Sequence, residues 1–274
     1  MTVSTQIEKE EIEYPSSDGE PMAESDITCG YMVYGRGALR LHFKDRSDVY
    51  VSANSFIYYE EGNNQAVVAP DIYVVIGVAK KERKNYKLWR ENGIAPQFVL
   101  EVTSETTQDK DQLIKPEIYQ ELGVTEYFQY DPSGDYLNPI LQGVRLVNGE
   151  YEPIFANNIS FDTLWIYSEV LKLELHLISG VFRFRNPETG EFLKTIEEEQ
   201  QGRLAAEAAF QQSEQARLAE QQARLVEQQA RQAADSRLCG AISQLLNSGM
   251  NLAQAAQLMN LSILEVQRLV GRDL

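Results

Sequence analysis

A carboxylate sits inside a short apolar run, Phe98-Val99-Leu100-Glu101-Val102, and that placement constrains the fold more than any other stretch. A run this short and apolar, with no polar alternation, reads as a central strand buried on both faces. A charge in such a strand is costly unless a cation or several hydrogen bonds compensate it. Asp71 poses the same problem one strand earlier, following Pro70 inside the strand-like run Ala66 to Ile76. One such acid is unremarkable; two on adjacent strands outline a site. Magnesium takes hard oxygen ligands and keeps several of its waters, so two carboxylates are enough to hold it.

The surrounding pattern supplies a scaffold. From Ser25 to Phe43 the residues Ile27, Tyr31, Tyr34, Ala38 and Leu41 recur at three- and four-residue spacing, which predicts a helix. Gly30, Gly35 and Gly37 weaken that helix by about 1 kcal/mol each relative to alanine, so a closely packed neighbour is expected. Val49 to Tyr59 predicts a strand ending at the turn Glu60-Glu61-Gly62-Asn63-Asn64; Ala66 to Ile76 and Phe98 to Thr103 predict two more. Asp111 to Leu122 reads as a helix and Glu126 to Tyr130 as a fourth strand, closed by Asp131-Pro132. Asn148-Gly149 and Ser179-Gly180 mark two hairpins, the strongest short-range signal a strand pair leaves. Strands mixed with flanking helices predict one α/β (α+β) core that ends near Leu193.

Four segments follow from these patterns. Residues 1–13 are acidic and aperiodic and are expected to be disordered. Residues 14–193 form the core, with Tyr14-Pro15-Ser16-Ser17-Asp18-Gly19-Glu20-Pro21 as an opening turn. In 194–235 the composition turns to Ala, Gln, Glu and Arg, and the Gln-Ala-Arg blocks at Gln215, Gln222 and Gln229 repeat every seven residues. Such a repeat predicts a long coiled-coil-like helix. Its seam is mostly alanine and its leucines share no clean register with Val226, so weak self-association and a solvent-exposed spacer both fit. Residues 236–274 resemble a small helix-turn-helix: Asn260 ends one helix, Ser262 caps the next and Glu265 completes a capping box. With only Arg268 and Arg272 as cations in its last helix, an α-hairpin packing on itself or on a partner is favoured over a DNA reader.

Charge limits the partners. A formal net charge of −16 repels a polyanion unless basic residues gather locally. The one such cluster is Lys80-Lys81-Glu82-Arg83-Lys84-Asn85-Tyr86-Lys87 with Arg90, which otherwise reads as a solvated loop. The two cysteines, Cys29 and Cys239, form no disulfide framework, and no apolar run approaches a membrane span. A cytoplasmic protein that engages no membrane is the expectation.

Other candidates rank lower. Glu20 or Glu24 could add a metal ligand from the N-terminal side. Glu60 and Glu61 read as turn residues, Ser104 and Asp111 as turn or capping residues, and Glu126 and Asp131 as structural. His42 and His176 are isolated, and zinc spacings, phosphate loops and nucleophile elbows are absent from the sequence.

Taken in order, Tyr58-Tyr59-Glu60-Glu61-Gly62, Ala69-Pro70-Asp71-Ile72-Tyr73-Val74-Val75, Tyr86-Lys87-Leu88-Trp89, Phe98 to Ser104, then Asp111, Lys115, Tyr119 and Leu122 to Phe128 with Asp131-Pro132 resemble the Uma-type restriction endonuclease family of the PD-(D/E)XK nuclease superfamily. The likeness covers roughly residues 14 to 193. It implies a restriction-endonuclease-like core with a four-stranded mixed sheet, and a magnesium-dependent endonuclease acting on DNA, with manganese as a substitute. Asp71 and Glu101, helped by the backbone carbonyl of Val102, would hold the metal. The lysine of an E-x-K motif would fall at position 103, where this chain has Thr103. The matching cation is Lys115 on the following helix, although Pro116 beside it threatens the local geometry. The alternative is a catalytically degenerate core that recruits a protein partner through residues 195–274; a homodimer would suit cleavage of both strands.

Overall fold

The computed structural model of the chain describes residues 12–16, 25–105, 107–160 and 163–271. Glu20 and Glu24, most of the expected disordered start and most of the opening turn lie outside the described residues. The chain divides into two units, up to Gln200 and from Gln201 onward.

In the first unit, helix α1 (Asp26–His42) is capped by Ser25, whose side chain accepts the Thr28 N–H. Its glycines explain themselves unequally. A Cβ on Gly35 would stand 2.3 Å from Cδ1 of Ile72, so the helix needs a bare backbone where it crosses the sheet, whereas Gly30 faces open space.

The expected strand Val49 to Tyr59 is broken into β1 (Val49–Ala53) and β2 (Ile57–Tyr58). Asn54 interrupts it at φ 43°, a left-handed conformation that asparagine tolerates. The expected strand Ala66 to Ile76 likewise splits into β3 (Val67–Val68) and β4 (Ile72–Ile76). Pro70 cannot donate to a ladder, so Asp71 stands just before β4 rather than within a strand. Next come β5 (Tyr86–Lys87), β6 (Phe98–Val102), a wide turn over Lys110–Ile114, α2 (Lys115–Leu122) and β7 (Glu126–Tyr130). The two hairpins are β8 (Leu141–Val147) with β9 (Glu150–Pro153) and, after β10 (Asn157–Ser160) and β11 (Thr163–Ser168), β12 (Leu173–Ile178) with β13 (Val181–Arg185). Asn148 and Gly149, and again Ser179 and Gly180, all have positive φ, as tight hairpin turns require.

The central sheet has six strands in the order β1-β4-β6-β7-β8-β9, two more than the resemblance implies. Within it β6 and β7 are parallel while the other neighbours run antiparallel. Strand alternation divides its side chains between two cores. Ile72, Val74, Phe98, Leu100 and Val102 join α1 and the four-stranded sheet β10-β11-β12-β13, whose first two strands the hairpin signals did not single out. Tyr73, Val75, Val99 and Tyr127 pack on the opposite face with Tyr119 of α2 and with Ile57, Val68 and Tyr86 of the small sheet β3-β2-β5. Tyr14 docks against that small sheet, its ring centroid 5.0 Å from that of Tyr58 and 5.2 Å from that of Trp89.

The basic stretch after β4 is a solvent-exposed loop, with Lys84 and Arg90 on the surface, but part of it is tied inward. Arg83 lies over the Tyr50 ring at 4.3 Å and pairs with Glu91, to which Lys81 also reaches. Lys80 donates to the carbonyls of Phe43 and Lys44 at the end of α1, where a cation offsets the helix dipole.

In the second unit, α3 (Ile196–Asn247) runs unbroken through the boundary expected at 235/236. Its last turns pack with α4 (Leu252–Leu258) and α5 (Ile263–Val270) around Ile242, Ala256 and Val266. Asn251 and Ser262 open α4 and α5 with full capping boxes. No described helix is long and apolar enough to cross a membrane.

Candidate active site

The pairing of β4 with β6 matches Ile72 to Leu100, so one step further along the same register Asp71 stands opposite Glu101. Both belong to the face that carries Tyr73 and Val99. Glu101 is fully buried and Asp71 nearly so. Two interactions tie them: the Asp71 backbone N–H donates to Oε2 of Glu101 at 3.2 Å, and Oδ2 of Asp71 accepts the Val102 N–H at 2.7 Å. The N–H and C=O of one strand residue point to the same edge, so the Val102 carbonyl also lies on the Asp71 side of β6, past the end of β4.

The helix that follows β6 delivers the cation. Pro116 has no N–H, and its ring would collide with the carbonyl four residues back in a regular helix. The chain avoids the collision by widening: the Lys115 N–H bonds to the Lys110 carbonyl five residues earlier. The Asp111 carbonyl then has no helical donor, because its wide-turn partner would be Pro116 itself. Tyr127 and Gln129 of β7 satisfy it instead, through the Tyr127 hydroxyl at 2.7 Å and Nε2 of Gln129 at 2.8 Å. Proline at this position therefore anchors the turn to the sheet rather than displacing the lysine.

Asp111, Lys115 and Tyr119 are spaced by four and share one helical face. Lys115 places its ammonium 2.9 Å from Oε2 of Glu101 and 2.9 Å from Oδ1 of Asp111. Tyr119 donates to Oε1 of Glu101 at 2.6 Å. Sequence reasoning assigned Asp111 to capping, but it is fully buried, and its Oδ2 accepts no hydrogen bond among the described residues. The four-residue spacing of Asp111, Lys115 and Tyr119 was the signal that could have found the trio.

Thr103, at the usual lysine position, is a buried neutral side chain whose hydroxyl has no hydrogen-bond partner among the described residues, so it brings no charge to the cluster. The remaining acids are engaged elsewhere. Glu126 pairs with Arg145 and Ser168; Asp131 accepts four backbone N–H groups of its own turn, at Ser133, Gly134, Tyr136 and Leu137. Glu60 accepts from Asn63, and His176 pairs with Glu174.

Electrostatics mark the cluster out. Burial, and then repulsion from Glu101, push the Asp71 carboxyl well above the ordinary range and raise that of Asp111. Lys115 loses hydration, yet Glu101, Asp111 and Asp71 hold its proton more tightly than in a free lysine. Three carboxylates face one ammonium, which leaves two negative charges when all are ionised, the charge that one divalent cation neutralises. Among the described residues no group of three or more acids, histidines or cysteines is arranged to hold a metal ion. A cavity of about 780 Å³ opens on the other side of the wide turn, lined by Gln112, Pro116, Gln129 and Tyr151 among others.

No curated protein matches the chain. A solved structure described as a "putative nuclease belonging to DUF820 from Anabaena variabilis ATCC 29413" is 13% identical and covers 51% of this chain and 75% of its own, with a TM-score of 0.35. A family model, Uma2, described as "Putative restriction endonuclease", matches residues 36–177, which include the last turns of α1, the central strands and every residue of the carboxylate cluster. That match spans more than half of the sequence, and the chain belongs to the Uma2 family.

Proposed function

We propose that the protein is a magnesium-dependent nuclease that hydrolyses DNA phosphodiesters at the Asp71–Glu101 cluster, with manganese able to replace magnesium. The observation that carries this reading is the opposition of Asp71 and Glu101 at the start of β4, with the Lys115 ammonium 2.9 Å from Glu101. Asp71, Glu101 and the Val102 carbonyl would hold the ion. When bound, magnesium supplies the positive charge that activates water near neutral pH and offsets charge developing on the phosphate. Tyr119 and the Asp71 N–H fix the Glu101 carboxylate, so it needs no reorganisation. On this reading Lys115 would take the part of the E-x-K lysine, orienting the attacking oxygen or stabilising the crowded phosphorus.

The test is cleavage of supercoiled and single-stranded DNA with magnesium or manganese, comparing wild type with Asp71→Ala, Glu101→Ala and Lys115→Ala. Metal-dependent nicking lost in the first two variants supports the site. Nicking that survives in all three points to another centre or a contaminant.

A second reading has its own observation. Lys80 and Arg83 of the basic stretch are bonded inward and the formal net charge is −16, which weakens the affinity for DNA that phosphate contacts usually supply. Leu258, Ile263 and Leu264 are exposed in the second unit and offer an apolar surface. A core without catalysis that recruits a partner through residues 195–274 fits these facts. Absence of any nicking by wild type, together with capture of a defined partner by the tail, would favour it. A homodimer and a cytoplasmic location are compatible with both readings.

A further inference from the structure

Asp111 has no place in the reading above, yet it is buried in a way that demands a role. Purely structural carboxylates in this chain are fully bonded: Asp131 accepts four backbone N–H groups. Asp111, no more exposed than Asp131, accepts no hydrogen bond of ordinary geometry at Oδ2 among the described residues; Oδ1 meets the Lys115 ammonium at 2.9 Å, and the Thr107 hydroxyl also bears on the carboxylate. A buried acceptor left unsatisfied is unfavourable, so a fold that keeps one is retaining it for something the resting arrangement does not show.

The lysine explains what. Oε2 of Glu101 is shared between the Lys115 ammonium and the Asp71 N–H, while Oε1 is taken by Tyr119. A divalent cation joining Glu101 meets the ammonium at the same carboxylate and repels it. With no second anion nearby, the ammonium would compete for Glu101 or leave the site. Asp111 is that second anion, one helical turn from Lys115, and its backbone is held in place by the bonds from Tyr127 and Gln129 to its carbonyl. Its vacant Oδ2 can accept a further N–H as the ammonium shifts.

We propose that Asp111 is a positioning residue that takes over the Lys115 ammonium when a divalent cation binds Glu101, keeping the lysine at the site without competition for the metal oxygen. This rests on the metal-site reading of Asp71 and Glu101, and the experiment separates the two.

Binding of Mn²⁺ to the full chain is titrated calorimetrically for wild type, Asp111→Asn, Lys115→Met and the double variant. If Asp111 acts through the lysine, Asp111→Asn weakens Mn²⁺ binding by about tenfold with Lys115 present and by no more than about twofold when position 115 is Met. The same fold loss in both backgrounds would mean that Asp111 acts directly on the cation, and the proposal fails. Asp111→Glu, which keeps the charge, should stay within about threefold of wild type; a loss as large as that of the Asn variant also overturns the proposal. That variant keeps the question decidable should Asp111→Asn fold poorly. Wild type that takes up no Mn²⁺ overturns the metal-site reading itself, and the role of Asp111 with it.

Discussion

Tyr119 donates its hydroxyl hydrogen to Oε1 of Glu101 at 2.6 Å, and both residues are completely buried. A strand acid that would otherwise be intolerable is thus bonded by a helix from the same face of the sheet. Tyr119→Phe removes the donor and little volume, leaving a buried carboxylate oxygen bare. The expected cost is about 1–3 kcal/mol in urea unfolding at neutral pH. A variant as stable as wild type would mean that Glu101 is satisfied from elsewhere.

The crowding of acids around Glu101 sets a pH dependence. The carboxyls of Asp71 and Asp111 are raised by burial and by Glu101, so the folded state binds their protons more tightly than the unfolded chain does. Their contribution to stability is complete below the ordinary carboxylate range, near pH ~4, and is lost as pH rises through the raised values. Metal-free protein should therefore show a stability component that falls with rising pH across that window. Asp71→Asn should flatten it, and magnesium should raise the melting temperature more at pH 8 than at pH 5. Thermal melts in chelator and in magnesium check this; a magnesium effect independent of pH would contradict it.

Pro116 is the reason the helix widens before Lys115. Pro116→Ala restores an N–H and removes the ring that forbids a regular turn, so the segment is free to tighten. Stability should change by less than about 1 kcal/mol, because a helix-favouring residue offsets the lost anchoring. Any cleavage activity should fall by about tenfold, since Lys115 and Asp111 would rotate away from Glu101. Unfolding curves and nicking rates on the same preparation separate the two effects.

Gly35 lies where α1 crosses β4, with the place of its missing Cβ 2.3 Å from Cδ1 of Ile72. Gly35→Ala gains helix propensity but forces Ile72 to move, and Ile72 follows Asp71 directly. Net destabilisation of about 1–3 kcal/mol is expected in denaturant unfolding. Gly30→Ala, in open space on the same helix, should instead stabilise by about 0.5–1 kcal/mol. Equal effects at the two positions would refute this account of the packing.

Much of this was legible in the chain alone, for a local reason. Glu101 in an apolar run, Asn-Gly and Ser-Gly turns, the capping box at Ser262 and the composition change near residue 195 are all short-range patterns, written within a few residues of where they act. They were enough to raise α1, β6, β7, both hairpins and the pair Asp71 and Glu101. Other features depended on contacts between segments distant in sequence. Strands β10 and β11 complete a sheet with β12 and β13; β10 has little pattern of its own, and β11 carries a strand-like run, Leu164-Trp165-Ile166-Tyr167, that the hairpin signals alone did not single out. The basic stretch looked free because the groups that neutralise it, Glu91, Tyr50 and the carbonyls ending α1, come together only on folding. Pro116 looked like damage when read along the helix; the hydroxyl and amide that rescue the Asp111 carbonyl belong to β7. The identity of the two strand acids was thus a property of the sequence. That a third acid and a lysine share their pocket was decided by the tertiary structure, because a widened turn fixes side-chain direction and only the sheet beneath it supplies the hydrogen bonds that make such a turn stable.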